Sequence, residues 1–322
     1  MELKPDIIER IKLLDEKYQA MGQSLASYLD GLLYADYLTY WDYIHLDTLL
    51  SLQTPKTPIP DENIFIMYHQ ITELYFKLCL HEFDQLAEKE NLHVRFFTDR
   101  VTRINRYFEA LITSFDIMVD GMEPQQFLKF RMSLLPASGF QSGQYRKIEI
   151  CSTSFKNLVA KDVRDTFSDD VVDGQIEKMY EHMYWKAGAT ELASGKKTLT
   201  LVQFEQKYSR DFIFLAKKFT TKNLWALYKS LPEKDQKNEK LILALRQLDV
   251  DVNINWPLSH YKSAVRYLQA DPEDIAATGG TNWQKYLPPR FQKRIFYPQL
   301  WSADELNNWG KAWVKSVVFG AK

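Results

Sequence analysis

Six histidines, at positions 45, 69, 81, 93, 182 and 260, and two cysteines are the metal-binding imidazoles and thiols that the 322-residue chain offers. They form none of the common catalytic signatures. His81-Glu82 begins the H-E-x-x-H pattern of a zinc helix, but the second histidine is absent, so the pair reads as a feature of a helix surface. There is no G-x-S-x-G elbow and no glycine-rich phosphate loop. So few histidines argue against a multi-histidine zinc or copper centre. They do not argue against a porphyrin iron, which carries its own equatorial ligands and asks the protein for one axial imidazole. His69 lies in a mostly apolar run, one turn after Phe65, and by itself reads as a core histidine bonded to a backbone carbonyl. His260, four residues after Trp256, by itself reads as a histidine near a helix end. Arg131 sits between Phe130 and Met132, and an arginine in an apolar run needs an anionic partner. That partner is either a structural Asp or Glu, or a substrate carboxylate held by two parallel hydrogen bonds.

The elements that must position these residues read as helices. Apolar residues at Ile7, Ile11, Leu14, Tyr18 and Met21 follow the helical period and predict a helix over 5–35, with a second amphipathic piece over 39–52. TPKTPIPDE breaks the pattern as a proline-rich loop. In the run beginning at Asn63, Phe65, His69, Phe76, Leu80 and Phe83 recur at helical spacing with apolar residues on both faces, which predicts a deeply buried helix. Helices are also expected over 94–119, from Pro124, over 168–193, from Thr198 to Leu227, from Asn238 to Leu248, and from Pro257 to about Ala270. Between them, Pro136-Ala137-Ser138-Gly139 makes a non-helical elbow and DPEDIAATGGTN a loop. TLTLV at 198–202 is the best strand candidate, yet it flows into a helical pattern. Ser302-Ala303-Asp304-Glu305 has the form of a capping box. With sparse glycine (12 residues) and no internal repeat or long linker, one mainly α-helical, bundle-like domain over 1–322 is expected.

Composition excludes several partners. A net charge of −1 gives no basic excess for nucleic acid or for an anionic membrane. The charged N-terminus lacks the apolar core of a secretory signal, and no stretch reaches the roughly 18 apolar residues of a membrane span. With only Cys79 and Cys151 to oxidise, a reducing cytoplasm is the simplest location. The 19 Phe, 18 Tyr and 8 Trp suit a flat apolar ligand, although large helical cores are often aromatic in any case.

Four strings, in order, resemble the tryptophan 2,3-dioxygenase family: LTYWDYIHLDTLLSLQTP, DENIFIMYHQITELYFKLCLHEFDQ, FLKFRMSLLPASGFQSGQY, and WPLSH paired with ATGGTNWQKYL. They cover most of the chain, about 38–287, and the F-R-x-x-L-x-P-A-S-G-F-Q-S string is highly specific. The resemblance implies an all-α homotetramer that binds haem b and inserts O2 across the indole C2=C3 bond of L-tryptophan, giving N-formylkynurenine. It implies that His260 is the proximal iron ligand and that His69 stands on the distal side, orienting the indole N–H. It implies that Arg131 clamps the substrate carboxylate, that Thr278 binds the amino-acid head group, and that Phe65 packs on the indole. Tyr145 resembles a site-lining tyrosine of the family. Tyr40 and Tyr43 match tyrosines of an N-terminal segment, here 1–50, that reaches a neighbouring subunit's site.

The chain departs from the family pattern in three places. Glu73-Leu74-Tyr75 replaces E-L-W, and Ala277-Thr278-Gly279-Gly280-Thr281 replaces a loop that usually begins with glycine. Pro257-Leu258-Ser259 stands where basic residues usually precede the proximal histidine. Two other readings accompany the first: a haem enzyme of the same superfamily acting on another indole or aromatic amino acid, and a haem-binding protein without turnover.

Overall fold

The computed structural model describes residues 3–134, 139–168, 174–190, 196–268 and 293–311. Contacts divide the chain into two units, Met1–Thr54 and Pro55–Lys322. In the first, the expected helix over 5–35 is two helices, α1 (Pro5–Ala20) and α2 (Leu25–Leu33). The break is Gly22, which takes φ +68, while the Gln23 amide donates back to the Tyr18 carbonyl at 2.8 Å. Glycine reaches this left-handed conformation without a Cβ penalty, which is why it terminates helices. The 39–52 piece is likewise split into Tyr40–Tyr43 and Leu46–Leu50, because His45 between them adopts φ 52. Tyr40 and Tyr43 are both exposed.

The second unit is built on α3 (Asp61–Glu88) and α4 (Val94–Ser114). Helix α4 shows why it folds where it does. Phe97, Val101, Ile104, Phe108 and Leu111 recur every three or four residues and all are fully buried. Each such side chain contributes about 1.5–3 kcal/mol by leaving water. Pro124 opens α5 (Pro124–Phe130), its missing N–H harmless in the first turn. Helix α6 (Gly143–Ser152) is capped by the Ser142 hydroxyl, which accepts from the Tyr145 amide. A Cβ on Gly143 would stand 2.7 Å from the Tyr208 ring, so this close approach of helices requires glycine. Helices α7 (Leu199–Lys218), α8 (Glu239–Val250) and α9 (Trp256–Leu268) complete the frame. α3 packs along α4 and α6, α8 lies on α4, and α7 lies on α6.

The all-α expectation holds: among the described residues, β structure amounts to two isolated bridges. The strand candidate TLTLV is the start of α7, where Thr198 serves as the cap, its side chain accepting from the Leu201 amide. Two expectations are corrected. α3 is not buried all round: Phe76, Cys79, Phe83 and Leu86 face the core, while Met67, Ile71, Leu74 and Leu78 form an exposed stripe on another side. Glu82 is not a surface residue. It is fully buried and paired with Arg100 at 3.3 Å and Arg103 at 2.9 Å, and it accepts from the Tyr107 hydroxyl at 3.2 Å. The region expected as one helix over 168–193 contains Gln175–Glu181 and Tyr184–Ala187. The Ser302 capping box is present, with both reciprocal bonds made. Residues 135–138 of the elbow lie outside the described residues.

Candidate active site

The two histidines singled out by the sequence are held in the same way. On α3, His69 Nδ1 is 2.7 Å from the Phe65 carbonyl. On α9, His260 Nδ1 is 3.0 Å from the Trp256 carbonyl. A carbonyl only accepts, so each Nδ1 carries the proton and each Nε2 keeps its lone pair. Both histidines also have an aromatic residue four positions earlier, one turn away on the same face. The Phe65 and His69 rings are 4.1 Å apart, and the Trp256 and His260 rings 4.5 Å.

Burial keeps both rings neutral. It pulls the His260 imidazole down to about 4, against the opposing pull of the Trp256 carbonyl, and the proximity of His69 lowers it further. His69 is lowered as well, by burial first, with Phe65 and Glu73 acting in the other direction. The two imidazoles are therefore close enough to sense each other's charge. They share an aromatic floor. Tyr68 meets His69 edge-on at 6.5 Å and Phe115 at 5.7 Å, and Phe115 lies 4.5 Å from His260 and 5.2 Å from Trp256. The Tyr68 hydroxyl is turned away from this floor, donating to the Leu111 carbonyl at 3.2 Å.

On the other side of Phe65, the rings of Phe130 (5.7 Å) and Phe127 (6.3 Å) form an apolar wall, and Tyr267 lies 4.8 Å from Phe127. Arg131 follows Phe130 where α5 tightens into a 3-10 turn, and it is 8% exposed. Burial lowers its guanidinium from the usual range, as expected of a cation taken out of water. The structure thus brings together Phe65, His69, His260 and, through Phe130, the segment bearing Arg131. Tyr145 is buried on α6, its hydroxyl donating to the Val252 carbonyl at 2.8 Å. Thr278 lies outside the described residues. Tyr40 and Tyr43 belong to the N-terminal unit.

Sequence reasoning missed Tyr68, Phe115, Phe127 and Phe130. Only Phe127 and Phe130 had an available signal, their one-turn spacing ahead of Arg131. It also left open what accepts the second ring nitrogen of His260; the structure supplies the Trp256 carbonyl. A neutral imidazole with Nδ1 donated to the backbone and Nε2 available is the form an axial iron ligand takes, so the donor on α9 fits a haem iron.

Behind the site, Glu149 is buried with two arginines, paired with Arg146 at 2.9 Å and with Arg294, and Tyr184 bonds to all three. Asp249 ties the C-terminal segment down. Its carboxylate accepts from the Phe296 and Tyr297 amides at 2.8 and 3.1 Å, from Trp301 Nε1 at 3.0 Å and from Asn253 at 2.8 Å. Burial nevertheless raises it to about 6.

Comparison with known proteins adds a family. A family model described as tryptophan 2,3-dioxygenase matches residues 33–183, which include Phe65, His69, Arg131 and Tyr145. The tryptophan 2,3-dioxygenase of Herpetosiphon aurantiacus is 30% identical over 271 residues, covering 82% of this chain and 96% of that protein. The tryptophan 2,3-dioxygenase of Bacillus thuringiensis subsp. konkukian is 29% identical over 279 residues, 82% of this chain and 91% of that one. A Ruegeria protein of the same name is 42% identical over a shorter stretch of 118 residues, 36% of this chain and 42% of that protein.

Proposed function

The chain belongs to the tryptophan 2,3-dioxygenase family, and we propose that it inserts O2 across the indole C2=C3 bond of L-tryptophan, giving N-formylkynurenine, with a haem b whose iron His260 would hold. The observation that carries this reading is the matched pair of neutral imidazoles. Each has its Nδ1 proton committed to its own helix and its Nε2 available, and both stand over one aromatic floor.

The haem, when bound, supplies the iron at which O2 becomes reactive toward the indole. The rest falls to the chain. His260 presents Nε2 to the metal, and the Trp256 carbonyl fixes the tautomer that allows it. His69 receives the indole N–H at Nε2, a role open to it because burial keeps the ring neutral. Phe65, Phe127 and Phe130 exclude water from the ring of the substrate. Arg131 holds the carboxylate, and a cation already stripped of solvent binds an anion more strongly than one in water. Holding the amino-acid end and the indole N–H together places C2=C3 for reaction. Thr278 is the partner for the head group, and Tyr145 lines the site through its ring. The enzyme is a homotetramer in which the N-terminal segment, with Tyr40 and Tyr43, reaches a neighbouring subunit's site. A cytoplasmic location fits Cys79 and Cys151, which are buried and unpaired. Among the described residues no helix is long and apolar enough to cross a membrane.

The test is direct. The protein is purified with haem supplied, reduced without air, and given L-tryptophan and then O2 while formylkynurenine absorbance is followed. Product is expected. A haem spectrum with no product from L-tryptophan moves the substrate elsewhere, and failure to take up haem removes the reading.

A further inference from the structure

Helices α8 and α9 are one continuous rod interrupted by a single wide turn, Asp251–Asn255, in which the hydrogen bonds span five residues: the Trp256 amide reaches back to the Asp251 carbonyl. The sequence explains the turn. In an unbroken α-helix, Pro257 would press its ring on the Asn253 carbonyl four residues earlier and could donate nothing to it. One additional residue in the turn relieves that clash, and the helix runs on. Pro257 therefore does not open a new helix, as its position in the sequence suggested, but sits in the first turn after a π bulge.

The bulge leaves a carbonyl in difficulty. The α-helical donor to Val252 O is the Trp256 amide, which is committed to Asp251 O. The donor one position further on would be residue 257, a proline without an N–H. Val252 is fully buried, so its carbonyl has no water to turn to. The hydroxyl of Tyr145, arriving from α6, fills the vacancy at 2.8 Å. Burial pushes the phenol up to about 12, against the opposing charges of Arg294 and Arg146, so it stays a donor. The rings repeat the connection. Tyr145 packs on Phe76 (5.6 Å), Phe76 on Trp256 (5.7 Å), and Trp256 on His260 (4.5 Å). Around the same turn, side-chain bonds four residues apart, Asn253 to Asp249 and Asn255 to Asp251, each 2.8 Å, hold the widened backbone.

We propose that Tyr145 is a positioning residue for His260, and that it acts by satisfying the Val252 carbonyl of the π turn that Pro257 creates. An added residue rotates everything beyond it by about 100° around the helix axis. The π turn thus decides which face of α9 carries His260 toward His69. The proposal rests on the reading of His260 as the iron ligand.

The test is resonance Raman of the ferrous, haem-loaded protein, reading the iron–histidine stretch, together with the rate at which haem is lost to excess apomyoglobin. His260→Ala must abolish the stretch; if it does not, the ligand assignment itself fails, and that failure is distinct from failure of the role given to Tyr145. With the assignment standing, Tyr145→Phe, which removes one oxygen, shifts and broadens the stretch and speeds haem loss about tenfold, the order expected for one orphaned buried acceptor. Tyr180→Phe, which removes a hydroxyl bonded to Ser209 Oγ in the same unit, leaves both readings where they were. Pro257→Ala restores an N–H at 257 and shifts the stretch by itself. In the Pro257→Ala background, Tyr145→Phe then has little further effect, because Val252 O has a backbone donor. An unmoved stretch in Tyr145→Phe overturns the proposal, as do effects of the two substitutions that simply add. Should Tyr145→Phe not accumulate as folded protein, an unmoved stretch in Pro257→Ala overturns it alone.

Discussion

If His69 Nε2 receives the indole N–H, removing the imidazole and removing the N–H must destroy the same interaction, and doing both must cost little more than doing one. The perturbations are His69→Ala in the enzyme and N1-methylation in the substrate. The magnitude comes from the geometry. The His69 ring is fixed by its 2.7 Å bond to the Phe65 carbonyl and by the Phe65 ring at 4.1 Å, so no reorganisation is needed to receive the donor. A neutral hydrogen bond in such a place is worth about 1–2 kcal/mol, or roughly a 5–30-fold change in kcat/KM. Initial rates of O2 uptake are measured for L-tryptophan and 1-methyl-L-tryptophan with the unmutated enzyme and with His69→Ala. Each single change should lower kcat/KM by that factor. The double change should fall short of the product of the two, leaving an interaction energy of about 1–2 kcal/mol. Full additivity would refute the contact, because it would mean that His69 and the indole nitrogen act on different steps.

Arg131→Ala should raise the concentration of L-tryptophan needed for half-saturation by about 10–100-fold, the loss of a charge-assisted bond of about 1.5–3 kcal/mol, and leave the haem spectrum unchanged. Tryptamine, which lacks the carboxylate, should bind both proteins equally, and preferential binding to the unmutated enzyme would show that Arg131 has another target. Glu82→Ala should destabilise the fold by about 1–3 kcal/mol in denaturant unfolding, because Arg100 and Tyr107 lose a buried partner, while half-exposed Arg103 recovers solvent. Asp249 gives a pH dependence with a definite sign. Its carboxyl is raised in the folded state from 3.8 to about 6, so the folded protein holds the extra proton and stability falls as pH rises through that window. Asp249→Asn abolishes that dependence. Its cost in urea unfolding should therefore be larger at pH 5, where the buried carboxyl is largely protonated, than at pH 7.5, where the unmutated protein bears an ionised carboxylate taken out of water.

Much of this protein is written in local patterns. The three-and-four spacing from Phe97 to Leu111 specifies both the existence of α4 and the face it buries. The caps at Thr198 and Ser302 are set by residue type and the next three positions. By their local patterns His69 and His260 read only as a core histidine and a histidine near a helix end; the family strings that contain them singled them out. What the sequence could not carry was anything that depends on a partner far along the chain. Glu82 reads as a surface residue until Arg100 and Arg103 arrive from the next helix and make its burial tolerable. The exposed stripe on α3 is as apolar as the buried one, and only packing on α4 and α6 decides which goes inside. Pro257 announces a helix start by every local rule. It lies within a continuous rod because a π turn makes room for its ring, and a tyrosine 112 positions earlier in the chain donates to a carbonyl of that turn. The sequence determined which residues could do the chemistry, since side-chain type and helical period are local properties. The tertiary structure decided where His260 points, because an orphaned buried carbonyl must find its donor wherever the fold brings one.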